Sequence, residues 1–259
     1  MSTIAPGALL DPGTARLTGS EPAQIMTVVI PTYNETENIE RLLETIFNLG
    51  IPDLRVIIVD DNSPDGTGVL AEQLSRELYN GSVEVLHRPG KLGLGPAYLA
   101  GFKHALEKGA TYIVEMDADF SHDPATLKRF REAIEDAEVV VGSRYVPGGS
   151  LDKRWTLLRR IISKGGSIYS RAILGLKVHD STAGFKIFRR EVLERLPLSQ
   201  IRSNGYCFQV EIAYLCQKYN FKVEEVPIHF NERVAGVSKM SPRIAIEAAW
   251  KVWQIRFRY

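Results

Sequence analysis

From residue 25 onward, short runs of β-branched and other apolar residues alternate with stretches whose apolar positions recur every three or four residues. The runs Ile25 to Ile30, Val56 to Val59, Val83 to Leu86, Tyr112 to Met116 and Glu138 to Gly142 read as strands. The stretches between them read as helices. One opens at Asn34, an N-cap with Glu37 completing a capping box, and runs to about Asn48. Others run from Gly66 to about Tyr79, from Gly93 to Lys108, and onward from about Pro124. Strands apolar throughout and separated by helices predict an α/β fold, with a mostly parallel central sheet covered on both faces. In such sheets ligands gather at the carboxyl ends of the strands. Three polar clusters fall there: residues 31–35, 60–65 and 117–122.

After Gly142 the pattern changes. Trp155, Leu158, Ile161, Ile162, Ile168, Tyr169, Ala172 and Ile173 share one face of a helix within residues 153–174. Arg159, Arg160, Lys164 and Arg171 fall on the other face, and no acidic residue stands between Lys153 and Arg171. Residues 241–259 repeat the theme, with Ile246, Ala249, Trp250, Trp253 and Phe257 together and Lys251 and Arg258 off that face. Basic amphipathic helices with Trp at the apolar edge suit an anionic membrane surface. The alternative for each is plain packing on the domain. No apolar run is long enough to cross a bilayer, so work at a membrane would be done from its surface. Residues 1–24 are rich in Pro and Gly, lack the basic start and apolar stretch of a signal peptide, and are expected to form a disordered tail. The α/β domain is expected over residues 25–240.

Composition narrows the function classes. Apolar content of 44% and charged content of 24% are those of an ordinary globular chain. A net charge of +1 gives no global reason to expect nucleic acid. Cys207 and Cys216 fall on opposite faces of one helix and read as free core thiols, not a disulfide or metal pair.

The chemistry concentrates at Asp117-Ala118-Asp119, where the apolar run Tyr112 to Met116 ends. Carboxylates at i and i+2 of an extended segment point to roughly the same side. Their repulsion is relieved by a hard divalent cation, Mg²⁺ or Mn²⁺, which still has positions free for a diphosphate. A lone D-x-D is more often just an acidic loop. Here it stands beside Pro31-Thr32-Tyr33-Asn34-Glu35, Asp60-Asp61-Asn62-Ser63-Pro64-Asp65-Gly66-Thr67 and Gly93-Leu94-Gly95. Together these segments resemble the family 2 glycosyltransferases of the GT-A fold. Gly142-Ser143-Arg144-Tyr145, Arg159 to Gly165, Gly205 to Gln209 and Arg233 to Lys239 narrow the resemblance to the dolichyl- and polyprenyl-phosphate mannosyltransferases.

That resemblance implies transfer of mannose from GDP-mannose to a dolichyl or other polyprenyl phosphate, with inversion. It implies a donor site of Pro31, Tyr33, Glu35, Val59, Asp61, Asp117, Ala118, Asp119, Arg144, Arg233 and Lys239. Asp117, Asp119 and Ser121 would hold the metal; Ser121 stands where some members carry Gln. Arg144, Arg159 and Ser163 would bind the acceptor phosphate, and Asp119, Arg144 and Arg159 would be catalytic. Arg233 and Lys239 flank Gly236 and would close over the donor phosphates. His122, a loop residue, is expected to be solvated. A lipid phosphate monoester carries about −1.5 to −2 charges at pH 7 and needs cations around it, not a general base. The expected location is peripheral, on the cytoplasmic face of a membrane, and the sequence leaves open a separate anchoring subunit. One rival keeps the fold and uses a UDP-sugar. A sugar nucleotidyltransferase would carry a Gly-rich basic loop after the first strand, and this chain does not. A non-catalytic subunit would tolerate loss of Asp117 and Asp119, and both are present.

Overall fold

The computed structural model describes residues 23–232 and 242–259; side chains of residues 242–248 lie outside the description. Its first half alternates as the apolar runs require: β1 (Met26–Thr32), α1 (Thr36–Phe47), β2 (Leu54–Asp60), α2 (Thr67–Glu77), β3 (Val83–His87), α3 (Leu94–Glu107), β4 (Tyr112–Glu115), α4 (Thr126–Ala133) and β5 (Val139–Ser143). The second half adds β6 (Ser150–Leu151), α5 (Leu157–Leu174), β7 (Lys186–Arg189), α6 (Arg190–Arg195), α7 (Tyr206–Lys218), β8 (Val223–Pro227), β9 (His229–Phe230) and α8 (Pro242–Arg258). The central sheet runs β3-β2-β1-β4-β7-β5-β8, and β6 and β9 pair apart from it. Only β7 is antiparallel to its neighbours in the central sheet.

Strand residues alternate between two apolar layers. Val28, Ile30, Val56, Ile58 and Val114 pack with Ile39, Leu42 and Leu43 of α1 and Phe130 of α4. Val29, Ile57, Val59 and Ile113 face the other way, onto Phe102 of α3 and Phe208 and Ile212 of α7. Both strand faces are buried, which is why these runs carry no polar alternation. Gly101 lets α3 lie close: a Cβ there would sit 2.3 Å from Val29 Cγ1. β1 and β4 are adjacent, while the chain leaves β1 for β2 and β3 on the opposite side. Their carboxyl ends thus open the crevice of a topological switch point, and the clusters at 31–35, 60–65 and 117–122 all reach it.

Three expectations need correction or extension. Asn34 does not cap α1. Its backbone is left-handed (φ +60°), which removes it from N-cap geometry, and the N-cap is Glu35. The helix start is satisfied from across the crevice: Thr67 Oγ1 accepts the Glu35 N–H at 2.9 Å and Asp65 Oδ2 accepts the Thr36 N–H at 3.2 Å. β7 and β8 extend the sheet beyond Gly142, through runs too mixed in polarity to stand out as strands. The disordered tail proposed for residues 1–24 falls almost wholly outside the described residues, as do Arg233 and Lys239. Cys207 and Cys216 are buried and form no disulfide, and burial pushes the Cys216 thiol up to about 12. Among the described residues no helix is long and apolar enough to cross a membrane.

Candidate active site

β2 delivers two acids with different duties. Asp60 is spent on the turn: its carboxylate accepts the Ser63 hydroxyl at 2.5 Å and N–H at 3.1 Å, and the Thr32 hydroxyl at 3.2 Å. Asp61 accepts from Arg88 Nη1 at 2.5 Å, both side chains being nearly buried. Burial raises its pKa against the opposing pull of Arg88 and the N–H groups of Leu92 and Gly93. Beside it the Lys91 ammonium lies 3.6 Å from the centre of the Tyr33 ring. Glu35 Oε2 accepts from Asn38 Nδ2 at 2.8 Å, within its own helix.

The acidic segment after β4 is held from three directions. The buried Tyr98 hydroxyl donates to Asp117 Oδ1 at 3.1 Å; burial and the Asp117 charge push this phenol well above its ordinary value. The Asp117 N–H donates to His122 Nδ1 at 3.1 Å, and Asp119 Oδ1 accepts the Ser121 N–H at 3.0 Å. Between Asp119 and Ser121, Phe120 adopts φ +59°, a strained value for a side chain of its size. His122 is buried, contrary to the solvated loop residue expected. It stacks on Phe185 at 4.8 Å, and burial lowers its pKa. An Nδ1 that accepts leaves the neutral ring's proton on Nε2.

The residues here fit a hard cation. Asp117, Asp119 and Ser121 offer only oxygen, and the buried Ser121 hydroxyl has no hydrogen-bond partner among the described residues. Among the described residues no three His, Cys, Asp or Glu side chains converge on one point, so an ion held here would complete its coordination from ligand oxygens and water.

Beneath this segment lies a buried charge pair that the sequence reading overlooked. Glu115 on β4 sits opposite Lys186 on β7, 3.4 Å from its ammonium, which also bonds to the Ala183 carbonyl (2.5 Å) and Gln209 Oε1. The available signal was the lone acid Glu115 in an otherwise apolar strand, which is not tolerable buried alone.

The arginines are held by acids distant in sequence. Arg144 follows β5 and is buried. Its Nε and Nη2 donate to Asp180 at 2.7 and 2.6 Å, and Nη2 also donates to Thr182 at 2.8 Å. Burial would raise Asp180, but the Arg144 guanidinium outweighs it and holds the carboxyl below its ordinary value. Arg159, on the first turn of α5, stacks on Trp155 at 3.6 Å and donates from Nη1 to both carboxylate oxygens of Glu232 at 2.7 Å. Ser163, one turn on, accepts from the Tyr145 hydroxyl at 2.7 Å.

The segment from β9 to Glu232 ties the acids to the arginines. Phe230 stands edge-on to His122 (5.4 Å) and Trp155 (5.6 Å) and lies 5.2 Å from the Arg144 guanidinium. Asn231 donates from its backbone N–H to Ser121 O at 3.0 Å, and Glu232 holds Arg159. Asp117, Asp119, Ser121, Arg144, Arg159 and Ser163 therefore belong to one neighbourhood. Tyr98, Asp180 and Glu232 join it without having been expected, as Arg88 joins Asp61 at the end of β2.

α5 meets the body in an unexpected way. Its buried positions are Ser167, Ser170 and Leu174, with Ser167 and Ser170 hydroxyls 3.2 and 2.7 Å from those of Thr182 and Ser181. The N-terminal part of its apolar stripe faces out, Leu157, Leu158, Ile161 and Ile168 being more than half exposed, while Tyr169 and Ile173 further on pack against the apolar cluster around Leu174. α8 packs beside it through Val252 and Ile255 and leaves Trp250 and Phe257 exposed. Trp155 is an exception to the expected membrane-edge tryptophans: it is buried beneath Arg159.

A crevice at a switch point, an acidic pair after β4 and arginines beyond it are the arrangement of a glycosyltransferase of the GT-A fold. Residues 27–197 match the model of glycosyl transferase family 2, and the chain belongs to that family. It is 46% identical to the polyprenol monophosphomannose synthase of Mycolicibacterium smegmatis, covering 97% of this chain and 93% of that one. It is 45% identical to the undecaprenyl-phosphate mannosyltransferase of Micrococcus luteus, over 89% and 94% of the two chains. Among solved structures, a mannosyltransferase from Pyrobaculum calidifontis in complex with GDP-Man and Mn²⁺ superposes with a TM-score of 0.61 at 19% identity, covering 93% of this chain and 68% of that one. Glucosyl-3-phosphoglycerate synthase from Mycobacterium tuberculosis does so at 0.63 and 18%, covering 91% and 78%. These two likenesses are of fold.

Proposed function

We propose that this enzyme transfers mannose from GDP-mannose to a polyprenyl phosphate, forming polyprenyl-phosphate mannose with inversion at the sugar carbon. The single observation that supports this best is the strap from β9 to Glu232, which brings the acids after β4 and the two arginines into one neighbourhood. Anion-holding and cation-holding halves side by side suit a reaction between two phosphorylated partners. The near full-length likeness to two enzymes named for lipid-phosphate mannose chemistry supports the choice of substrates.

In this reading Asp61, Tyr33, Pro31, Val59 and Glu35 line the nucleoside end. Asp117, Asp119 and Ser121 hold Mg²⁺ or Mn²⁺, which when bound neutralises the donor diphosphate. Arg144 and Arg159, with Ser163, orient the lipid phosphate against the sugar carbon. That phosphate is already anionic, so no side chain need remove a proton. Arg233 and Lys239 complete the donor side. In the same reading the outward apolar residues of α5 and α8 rest on the membrane carrying the acceptor, and the enzyme works from its cytoplasmic face.

Incubation with labelled GDP-mannose, Mg²⁺ and undecaprenyl phosphate in vesicles tests this directly. A mannolipid should form and be lost in chelator. Transfer from UDP-glucose but not GDP-mannose would overturn the donor assignment in favour of a UDP-sugar enzyme.

A further inference from the structure

Arg144 and Arg159 are both paired with carboxylates, but the pairs differ in kind. The Arg144–Asp180 side chains are 6% and 0% exposed, and a third group, Thr182, completes the contact. The Arg159–Glu232 side chains are 23% and 25% exposed, at the rim. An acid paired at the rim holds its partner weakly, because water stabilises both charges once they separate. The Arg159 guanidinium is meanwhile fixed in plane by Trp155, so its direction survives loss of the carboxylate.

A phosphate bound to Arg159 meets a problem while Glu232 stays. Both are anions competing for the same donors, and each raises the cost of the other. We propose that Glu232 is a placeholder for the acceptor phosphate, displaced only by an anion of greater charge. This rests on the reading of Arg159 as an acceptor ligand and adds a basis for selecting the acceptor. A phosphate monoester carries about −1.5 to −2 charges at pH 7 and can displace a carboxylate of charge −1. A phosphodiester, the group that dominates a phospholipid surface, carries only one and has no such advantage. Glu232 thereby lets a scarce lipid monoester be chosen at a surface crowded with diesters. Its backbone N–H is held separately by Asp152 Oδ2 at 3.1 Å, so the side chain can leave without the chain moving.

Steady-state transfer to soluble farnesyl phosphate, with short-chain phosphatidylglycerol below its micelle concentration as competitor, tests the idea. Glu232→Gln should lower KM for farnesyl phosphate about three- to ten-fold, the range expected on removing one rim competitor, with KM for GDP-mannose unchanged. The same variant should become sensitive to the diester competitor, whereas wild type and Glu232→Asp should not. Arg159→Ala separates the two levels of the argument. If it leaves the acceptor KM unchanged, the assignment of Arg159 fails and the placeholder with it. If it raises that KM while Glu232→Gln neither tightens the acceptor nor admits the diester, the placeholder alone is overturned.

Discussion

At the carboxyl ends of β2 and β4 the site is made of acids set by the strands that carry them. At the start of α5 and the end of β5 it is made of arginines paired with acids from far along the chain. Asp60 and Asp119 are held by groups two or three residues away, the Ser63 and Ser121 N–H, while Asp61 and Asp117 stand at strand ends and take one more contact each, from Arg88 and Tyr98. Arg144 owes its direction to Asp180, 36 residues on, whereas Arg159 lies flat on Trp155 and takes its charge partner, Glu232, from 73 residues on. One half is anionic and built to take a cation. The other is cationic but already neutralised, deeply in one case and at the rim in the other.

Breaking the deep pair should have the largest effect. Asp180→Ala leaves a buried guanidinium with Thr182 and aromatic rings but no counter-charge, and we expect about 3–5 kcal/mol of lost stability in urea unfolding. Replacing both partners, Arg144→Met with Asp180→Leu, should recover much of that while remaining inactive. The pair also has a pH signature. Asp180 is held below its ordinary 3.8, so the native state binds its proton less readily than the unfolded chain. Its contribution is fully present above that value and is lost as pH falls through the folded one. Wild type should therefore lose stability more steeply than Asp180→Asn below about pH 3.8. Parallel slopes would mean that Asp180 does not carry a charge into the fold.

On the donor side the expected effect is on catalysis, not folding. Asp119 lies at the crevice on a segment held also by Tyr98 and His122, so Asp119→Asn should leave the melting temperature close to that of wild type. Transfer should fall by at least about 10²-fold, the usual scale for losing one stabiliser of developing charge. Retained activity in this variant would detach the acidic pair from the reaction. A drop in stability matching the drop in rate would make it structural.

The contrast between the halves also explains what could be read in advance. The sheet, its helices and the acidic cluster follow from apolar runs and from residues that end them, all short-range signals. The α1 capping box failed because Asn34 turns left-handed and the cap comes from Asp65 and Thr67, across a crevice that no local pattern records. His122 looked like an exposed loop residue because nothing in its neighbours announces Phe185 and Phe230. Glu115 was anomalous in an apolar strand, but Lys186 stood in a run too mixed in polarity to mark it out, and joining the two required knowing that β7 returns antiparallel beside β4. The arginines were named from motif positions, while their partners Asp180 and Glu232 were invisible.

The outward face of α5 and α8 sharpens the comparison last and least strongly. A helix normally turns its apolar side to the protein, yet α5 buries Ser167 and Ser170 and exposes Leu158 at 67%. Beside it Phe257 stands 81% exposed and Trp250 66%. Three such groups on neighbouring helices, with Lys164 and Arg256 also exposed, suit partial insertion among lipid headgroups. Removing one ring should cost about 1 kcal/mol of membrane affinity, since insertion buries only part of its surface. Phe257→Ser should thus weaken binding to phosphatidylglycerol vesicles about five-fold in a sedimentation assay. Its melting temperature and its turnover of soluble farnesyl phosphate should not change. Unaltered vesicle binding in Phe257→Ser, Trp250→Ser and Leu158→Ser alike would show that this face meets something other than lipid, and that the acceptor reaches Arg159 by another route.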